Sequence, residues 1–164
     1  MKCKEKVLKK VLFISSEGGH LNELSQIDFD RYDYFLVTEE TKATEFVAEK
    51  FPKGKYEYLK YGTRKTPIRY FFILVSNYIK SKKIFKSFNP DVVVTTGTHT
   101  AIPMCFIAHR KKKKVIWIET FANRFTPTMA GKIVKRFKLA DEVIVQWPEL
   151  LEVYPNSVNL GSIF

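Results

Sequence analysis

The chain reads as a single α/β domain spanning residues 1–164, a doubly wound parallel sheet of the Rossmann-like kind. Three observations predict it. Short β-branched and aromatic runs alternate with helical stretches along the whole length, the signature of a parallel sheet with crossover helices. Val92-Val-Val-Thr95 is wholly β-branched, as in a strand buried on both faces. Glycine- and hydroxyl-rich clusters follow several strands, where ligands bind in such sheets.

The elements follow in order. Lys10–Ser15 is the first strand and ends at Glu17-Gly-Gly-His20, with a helix expected after the glycines. Tyr34–Thr38 is the second, followed by a charged helical segment from Glu40 to Phe51. Tyr56–Leu59 is a weaker third strand. A long helix runs from Pro67 to Phe88 and stops at Asn89-Pro90, because proline cannot continue it. Val92–Thr95 is the fourth strand, then helix Ala101–Arg110, strand Val115–Ile118, helix Met129–Leu139 and strand Glu142–Val145. The tail beyond Trp147-Pro148 adds one short strand near Ser157–Leu160.

Composition narrows the class. A chain of 164 residues buries about 70% of its unfolded surface, enough for a core without disulfides or metal. Cys3 and Cys105 show no metal or redox spacing, which fits a reducing compartment; Cys105 is expected as an inert core thiol. No signal peptide is expected, and no stretch approaches the ~20 apolar residues needed to span a bilayer. The formal charge of +11 predicts an anionic partner. Nucleic acid has only that charge behind it, without any recognition motif, and is the most distant reading.

The candidate site residues lie after the strands. Gly18 and Gly19 let the backbone approach a ligand closely, and a helix start favours an anion there. His20 follows them and could act as a general base toward a hydroxyl; a histidine bonded to backbone in a tight turn is the plainer alternative. Thr98 and His99 lie in Thr95-Thr-Gly-Thr-His99-Thr at the end of the fourth strand. Glu119 emerges from the fifth strand, where it could orient His20 or bind a sugar, or simply sit by a helix start. Asn123 follows in the same loop. No metal-ligand cluster or cofactor fingerprint is present, so neither is expected.

The long helix is the charge anomaly. From Arg64 to Phe88 there are seven basic residues and no acidic one. Arg69, Phe71 and Phe72 mark its apolar-aromatic half, and Lys80, Lys82, Lys83 and Lys86 its basic half. That combination suits an anionic membrane surface; an ordinary core helix with a solvated basic face is the commoner alternative. The second basic run, Arg110 to Lys114, is expected as a solvated turn.

Taken together, the motifs resemble a family. Gly18-Gly-His20, Asp91-Val-Val-Val-Thr-Thr-Gly97 with Pro103, Val115-Ile-Trp-Ile-Glu119-Thr-Phe-Ala122, Gly131-Lys132, Ala140-Asp141 and Val145-Gln-Trp147 recur in order over nearly the whole chain. They resemble acceptor-side subunits of split GT-B glycosyltransferases: bacterial capsule and exopolysaccharide proteins similar to the eukaryotic ALG-fourteen subunit of dolichol-linked N-acetylglucosaminyl transfer. The N-terminal domain of the peptidoglycan lipid-linked N-acetylglucosaminyltransferase is similar too. The resemblance implies half an enzyme. This chain would handle a polyprenyl-diphosphate-linked acceptor at the cytoplasmic membrane face, and a small ALG-thirteen-like partner would bind the nucleotide sugar. By resemblance His20 is the base of the glycine-rich loop and Glu119 the strand-end acid. Gly18, Gly19, Thr98, His99 and Asn123 would contact the acceptor. The eukaryotic subunit has an N-terminal anchor where this chain soon begins its first strand, so membrane contact would rest on the basic aromatic helix or the partner. A non-catalytic scaffold that stabilises the partner is the alternative.

Overall fold

The computed structural model describes residues 8–63 and 65–164; Cys3 and Arg64 lie outside them. Seven parallel strands form one sheet in the order β3-β2-β1-β4-β5-β6-β7. They are β1 (Lys10–Ser15), β2 (Asp33–Glu40), β3 (Tyr56–Lys60), β4 (Val92–Gly97), β5 (Lys114–Ile118), β6 (Glu142–Val145) and β7 (Val158–Asn159). Five helices connect them: α1 (Gly19–Leu24), α2 (Phe46–Lys50), α3 (Pro67–Phe88), α4 (Ile102–Arg110) and α5 (Met129–Phe137). The order reverses between β1 and β4, which opens a crevice at their carboxyl ends.

The period-2 alternation of β1 divides the core. Leu12 and Ile14 face a cluster with Ile84, Phe85, Met104, Cys105, Trp117 and Val134, beneath α3, α4 and α5. Val11 and Phe13 face a second cluster with Leu21, Leu24, Phe29 and Val47, beneath α1 and α2. Phe13 stacks on Phe29 at 4.2 Å. On that second face Val92, Val94, Ile116 and Ile144 line an apolar hollow of about 280 Å³.

One expected element changes. The helix expected over Glu40–Phe51 is cut short because β2 keeps pairing with β3 through Glu39↔Leu59 and Glu40↔Lys60. A 3-10 turn then closes on itself: the Thr44 hydroxyl donates to the Glu39 carbonyl at 2.7 Å and accepts from the Thr41 amide at 3.0 Å. Only Phe46–Lys50 remains helical. Such local side-chain bonds compete with helix propagation.

α3 begins with Pro67 in its first turn and ends at Asn89, which is left-handed with φ 48°. Its inner face is Asn77, Ser81, Ile84 and Phe85. Asn77 is buried and bridges the backbone of Lys60, accepting from its amide at 2.9 Å and donating to its carbonyl at 2.8 Å. That pair holds the edge strand β3 to the helix. The first half of α3 turns its apolar residues outward: Ile68, Phe71, Phe72 and Val75 are exposed. Among the described residues no helix is long and apolar enough to cross a membrane.

Candidate functional site

The loops after β1 and β4 meet at the crevice. The Ser16 amide donates to the Gly97 carbonyl at 3.1 Å, and the Thr98 hydroxyl donates to Ser16 Oγ at 3.1 Å. His20 and Thr96 are joined twice: the Thr96 hydroxyl donates to the His20 carbonyl at 2.6 Å, and His20 Nδ1 lies 2.8 Å from the Thr96 carbonyl. A carbonyl oxygen only accepts, so Nδ1 carries the proton. In the neutral ring the lone pair is then on Nε2, the tautomer a base needs. Gly97 has φ 100°, and a Cβ there would meet the Trp117 ring at 3.4 Å and His20 Nδ1 at 3.6 Å. It is the positive φ, more than the space, that calls for glycine here, since those are ordinary contact distances.

Gly18, Gly19, His20, Thr98 and His99 are therefore brought to one place. Gly18 is in the left-handed region at φ 75°, and a Cβ on Gly18 or Gly19 would meet nothing within 4 Å. Gly18 is thus required for the turn, and Gly19 borders open space. His99 lies 3.7 Å from Glu39 through Nε2; its Nδ1 is 3.2 Å from the Thr98 hydroxyl, and its ring meets Tyr70 edge-on at 5.6 Å.

Glu119 does not join this group. The position beside His20 Nδ1 belongs to the Thr96 carbonyl, and Glu119 is buried with 0% exposure. Its Oε1 accepts from the Thr128 amide at 2.7 Å; its Oε2 accepts from Trp117 Nε1 and the Tyr154 hydroxyl, each at 2.9 Å. Burial and the adjacent carboxylate push the Tyr154 phenol pKa well up. Gly131 of α5 packs directly on the Glu119 carboxylate and the Tyr154 hydroxyl, where no Cβ would fit. Glu119 thus ties β5 to the start of α5 and to Tyr154, and so sets the course of the 119–128 loop. Asn123 turns into that same loop, donating to the Thr126 carbonyl at 3.1 Å.

Two further buried carboxylates carry the site and were not singled out from the sequence. Glu23 accepts from the Thr120 hydroxyl at 2.6 Å and from the Phe121 amide at 3.2 Å through Oε1, and from Gln146 Nε2 at 3.0 Å through Oε2. It links α1 to the exits of β5 and β6. Glu39 accepts from the Thr100 hydroxyl through Oε1 and from the Glu17 amide at 3.3 Å through Oε2, linking β2 to the loops after β1 and β4. The signal for Glu23 was its spacing three residues after His20, which puts both on adjacent helix positions. For Glu39 it was a carboxylate closing a buried strand.

The 119–128 loop is capped by aromatics. Phe121 stacks on Trp147 at 4.5 Å, and Arg124 lies over the Trp147 ring at 4.8 Å while pairing with Glu149 at 2.6 Å. The bond from Arg124 lowers the Glu149 carboxyl pKa.

On α3, Arg69, Phe71, Phe72, Lys82, Lys83 and Lys86 are exposed. Lys80 departs from the unopposed charge expected of it, because Glu57 of β3 pairs with it at 2.7 Å. Arg110 to Lys114 is the largely exposed turn expected between α4 and β5, and Arg110, Lys111 and Lys113 also line one cleft with Lys82 and Lys86 of α3.

A family model described as "Oligosaccharide biosynthesis protein Alg14 like" matches residues 40–163. The chain is 29% identical over 180 residues to the human UDP-N-acetylglucosamine transferase subunit ALG14, covering 93% of this chain and 82% of that protein. It is 28% identical over 150 residues to the pyrophosphoryl-undecaprenol N-acetylglucosamine transferase of Caldicellulosiruptor saccharolyticus, covering 85% of this chain and 39% of that one. The crystal structure of MurG from Acinetobacter baumannii superposes with a TM-score of 0.68 at 15% identity, over 86% of this chain and 42% of that chain. The chain thus spans less than half the length of the latter two, and its architecture is that of half a GT-B fold.

Proposed function

This chain belongs to the Alg14-like family of oligosaccharide biosynthesis proteins, and on that premise we propose that it is the acceptor-side, membrane-associating subunit of a two-component N-acetylglucosaminyltransferase. The acceptor is a polyprenyl-diphosphate-linked sugar. The donor is UDP-N-acetylglucosamine, held by a small ALG-thirteen-like partner. The complex sits peripherally on the cytoplasmic face of the membrane. The capsule or exopolysaccharide setting expected from the sequence finds no support in these relatives, one named as a human UDP-N-acetylglucosamine transferase subunit and the other as an undecaprenol-linked transferase.

The observation that carries the reading is the 2.8 Å contact of His20 Nδ1 with the Thr96 carbonyl at the strand-order reversal. It holds the imidazole with Nε2 as the acceptor nitrogen, suited to take a proton. In the reaction, the acceptor hydroxyl gives its proton to Nε2 as its oxygen bonds to the anomeric carbon. The bond from that carbon to UDP breaks, and its electron pair leaves with the diphosphate. Gly18, Gly19, Thr98 and His99 border the acceptor's sugar and diphosphate, while Asn123, bonded within its own loop, does not join them. Glu119 acts at one remove, as a positioning residue for the 119–128 loop. The exposed Ile68, Phe71 and Phe72 beside Lys82, Lys83 and Lys86 support contact with an anionic bilayer. The apolar hollow over β1, β4, β5 and β6 supports a protein partner, since sheet faces of this kind are ordinarily covered.

The test combines purified chain, partner, UDP-N-acetylglucosamine and a lipid-diphosphate sugar. Turnover needs both proteins, and His20→Ala lowers it by about 10²–10⁴-fold with the complex intact. Full turnover without the partner would overturn the split site. Full turnover by His20→Ala would leave only the scaffold role. Phe71→Asp with Phe72→Asp abolishes sedimentation with vesicles containing phosphatidylglycerol.

A further inference from the structure

α1 carries His20 in its first turn and is only six residues long. A helix that short has little stability of its own, so its direction is set by what it touches. Leu21 and Leu24 are buried in the second cluster, but apolar contact has no direction and lets a helix pivot. No side chain caps its start. Among the described residues, two sets of directional bonds tie its side chains to the sheet. The His20–Thr96 pair joins its first turn to β4. Glu23, buried at its other end, joins it to the exits of β5 and β6.

The link to β6 is a relay through Gln146, itself buried. Gln146 Nε2 donates to Glu23 Oε2 at 3.0 Å and to the Glu119 carbonyl at 3.1 Å, while its Oε1 accepts from the Ile163 amide at 2.9 Å. Turning that amide over would set two donors face to face at Ile163, so its orientation is fixed. Glu23 Oε1 meanwhile takes both the Thr120 hydroxyl and the Phe121 amide. One carboxylate thus gathers α1, the start of the 119–128 loop and, through Gln146, the chain at Ile163. These bonds oppose any swing of α1 about its attachment to β4, and such a swing would turn the His20 ring. Proton transfer tolerates little of it: a misplacement of about 1 Å costs up to about 10²-fold in rate.

We propose that Glu23 is a positioning residue for the transfer reaction: with Gln146 it holds α1 at the angle that aims His20 Nε2 at the acceptor hydroxyl. The inference rests on the reading of His20 as the base. Glu23 is buried and its bonds are spent inside the protein, so it acts through His20 and not on substrate. Without its carboxylate, α1 hangs on the Thr96 bonds alone. The ring then loses its fixed 2.8 Å contact with the Thr96 carbonyl, and with it the tautomer that keeps the proton on Nδ1. Chemistry slows, while acceptor binding at the pivot and at Thr98 and His99 is kept.

The experiment measures turnover of the reconstituted complex carrying Glu23→Gln or Thr120→Val. The first sets an NH2 group against either the Phe121 amide or Gln146 Nε2. The second removes one of the three donors and keeps the side chain's shape. For Glu23→Gln, kcat falls by about 10–10²-fold with the acceptor KM within about twofold, and Thr120→Val shows a smaller loss of the same kind. In the His20→Ala background, Glu23→Gln lowers kcat by less than about twofold, because the group it positions is gone. A second readout uses the chain alone. At pH 8 the ring nitrogen shifts of His20 report an Nδ1-protonated imidazole in the unsubstituted chain and a mixture of tautomers in both variants. Circular dichroism melts check that each variant is folded at the assay temperature; if Glu23→Gln is not, Thr120→Val carries the test. Undiminished kcat in the folded variants overturns the proposal. So does an equal loss with and without His20, or a fall in kcat with the His20 ring shifts unchanged. If His20→Ala turns over fully, the base reading fails, and the ring shifts still decide whether Glu23 sets the imidazole. If His20→Ala is inactive while Glu23→Gln alters neither kcat nor the ring shifts, the positioning role fails and the base reading stands.

Discussion

Replacing Glu119 with Gln separates a structural carboxylate from a catalytic one. The side chain is fully buried, and three donors converge on it: the Thr128 amide, Trp117 Nε1 and the Tyr154 hydroxyl. An amide in its place presents one oxygen and one NH2 group. With NH2 in the Oε1 position, the Thr128 amide faces another donor. With NH2 in the Oε2 position, the Tyr154 hydroxyl can turn to accept, but the Trp117 indole N–H cannot. One donor is left unpaired in either orientation, and the two remaining bonds lose their ionic character. The cost is about 2–3 kcal/mol. For a chain of this size that lowers Tm by roughly 4–12 °C. The assay is a circular dichroism melt, followed by turnover of the reconstituted complex well below the transition. A positioning residue predicts a lowered Tm with kcat reduced only several-fold, against the ~10²–10⁴ lost when a general acid or base is removed. An unchanged Tm together with a loss of that full size would refute the reasoning.

Gly131→Ala places a methyl against the Glu119 carboxylate and the Tyr154 hydroxyl. The overlap outweighs the ~1 kcal/mol by which alanine favours a helix over glycine, and urea unfolding should show a net loss of about 1–3 kcal/mol. Asn77→Ala removes both bonds to the Lys60 backbone; a loss of about 1–2 kcal/mol is expected, with amide exchange accelerated along Tyr56–Lys60. Burial pushes the Cys105 thiol pKa up to about 12 from an ordinary 9.0. Mass spectrometry should find the Cys105 peptide unalkylated by iodoacetamide at pH 8 until denaturant is added. Because the unfolded thiol ionises first, this residue's contribution to stability is complete below pH 9 and falls as pH rises from there toward 12, which urea midpoints across that range would register.

Much of this molecule was legible because its signals are local. β1, β4, β5 and β6 announced themselves as β-branched runs, and Pro67 and Asn89-Pro90 bounded α3 within a residue. The loop residues Gly18, Gly19, His20, Thr98 and His99 could be grouped in advance, since a parallel sheet delivers the ends of neighbouring strands to one edge. The Glu40–Phe51 helix was misread because charge pattern is weaker evidence than pairing: β3 extended β2 through Glu40, and the Thr41–Thr44 hydroxyl turn used up the next residues.

The α/β class, the edge that holds the candidate site and the excess of positive charge are all written in the chain of residues. Each follows from periodicity, chain order or a count, which survive without coordinates. Which acids serve which loops depends on how the strands and helices pack. Glu119 went to Trp117, Tyr154 and Thr128, Glu23 to Thr120, Phe121 and Gln146, and Glu39 to Thr100 and the Glu17 amide, because a buried carboxylate goes where donors from distant strands converge. That packing also decided what the charge surrounds. Lys82 and Lys86 meet Arg110 and Lys111 only because α3 and α4 pack side by side.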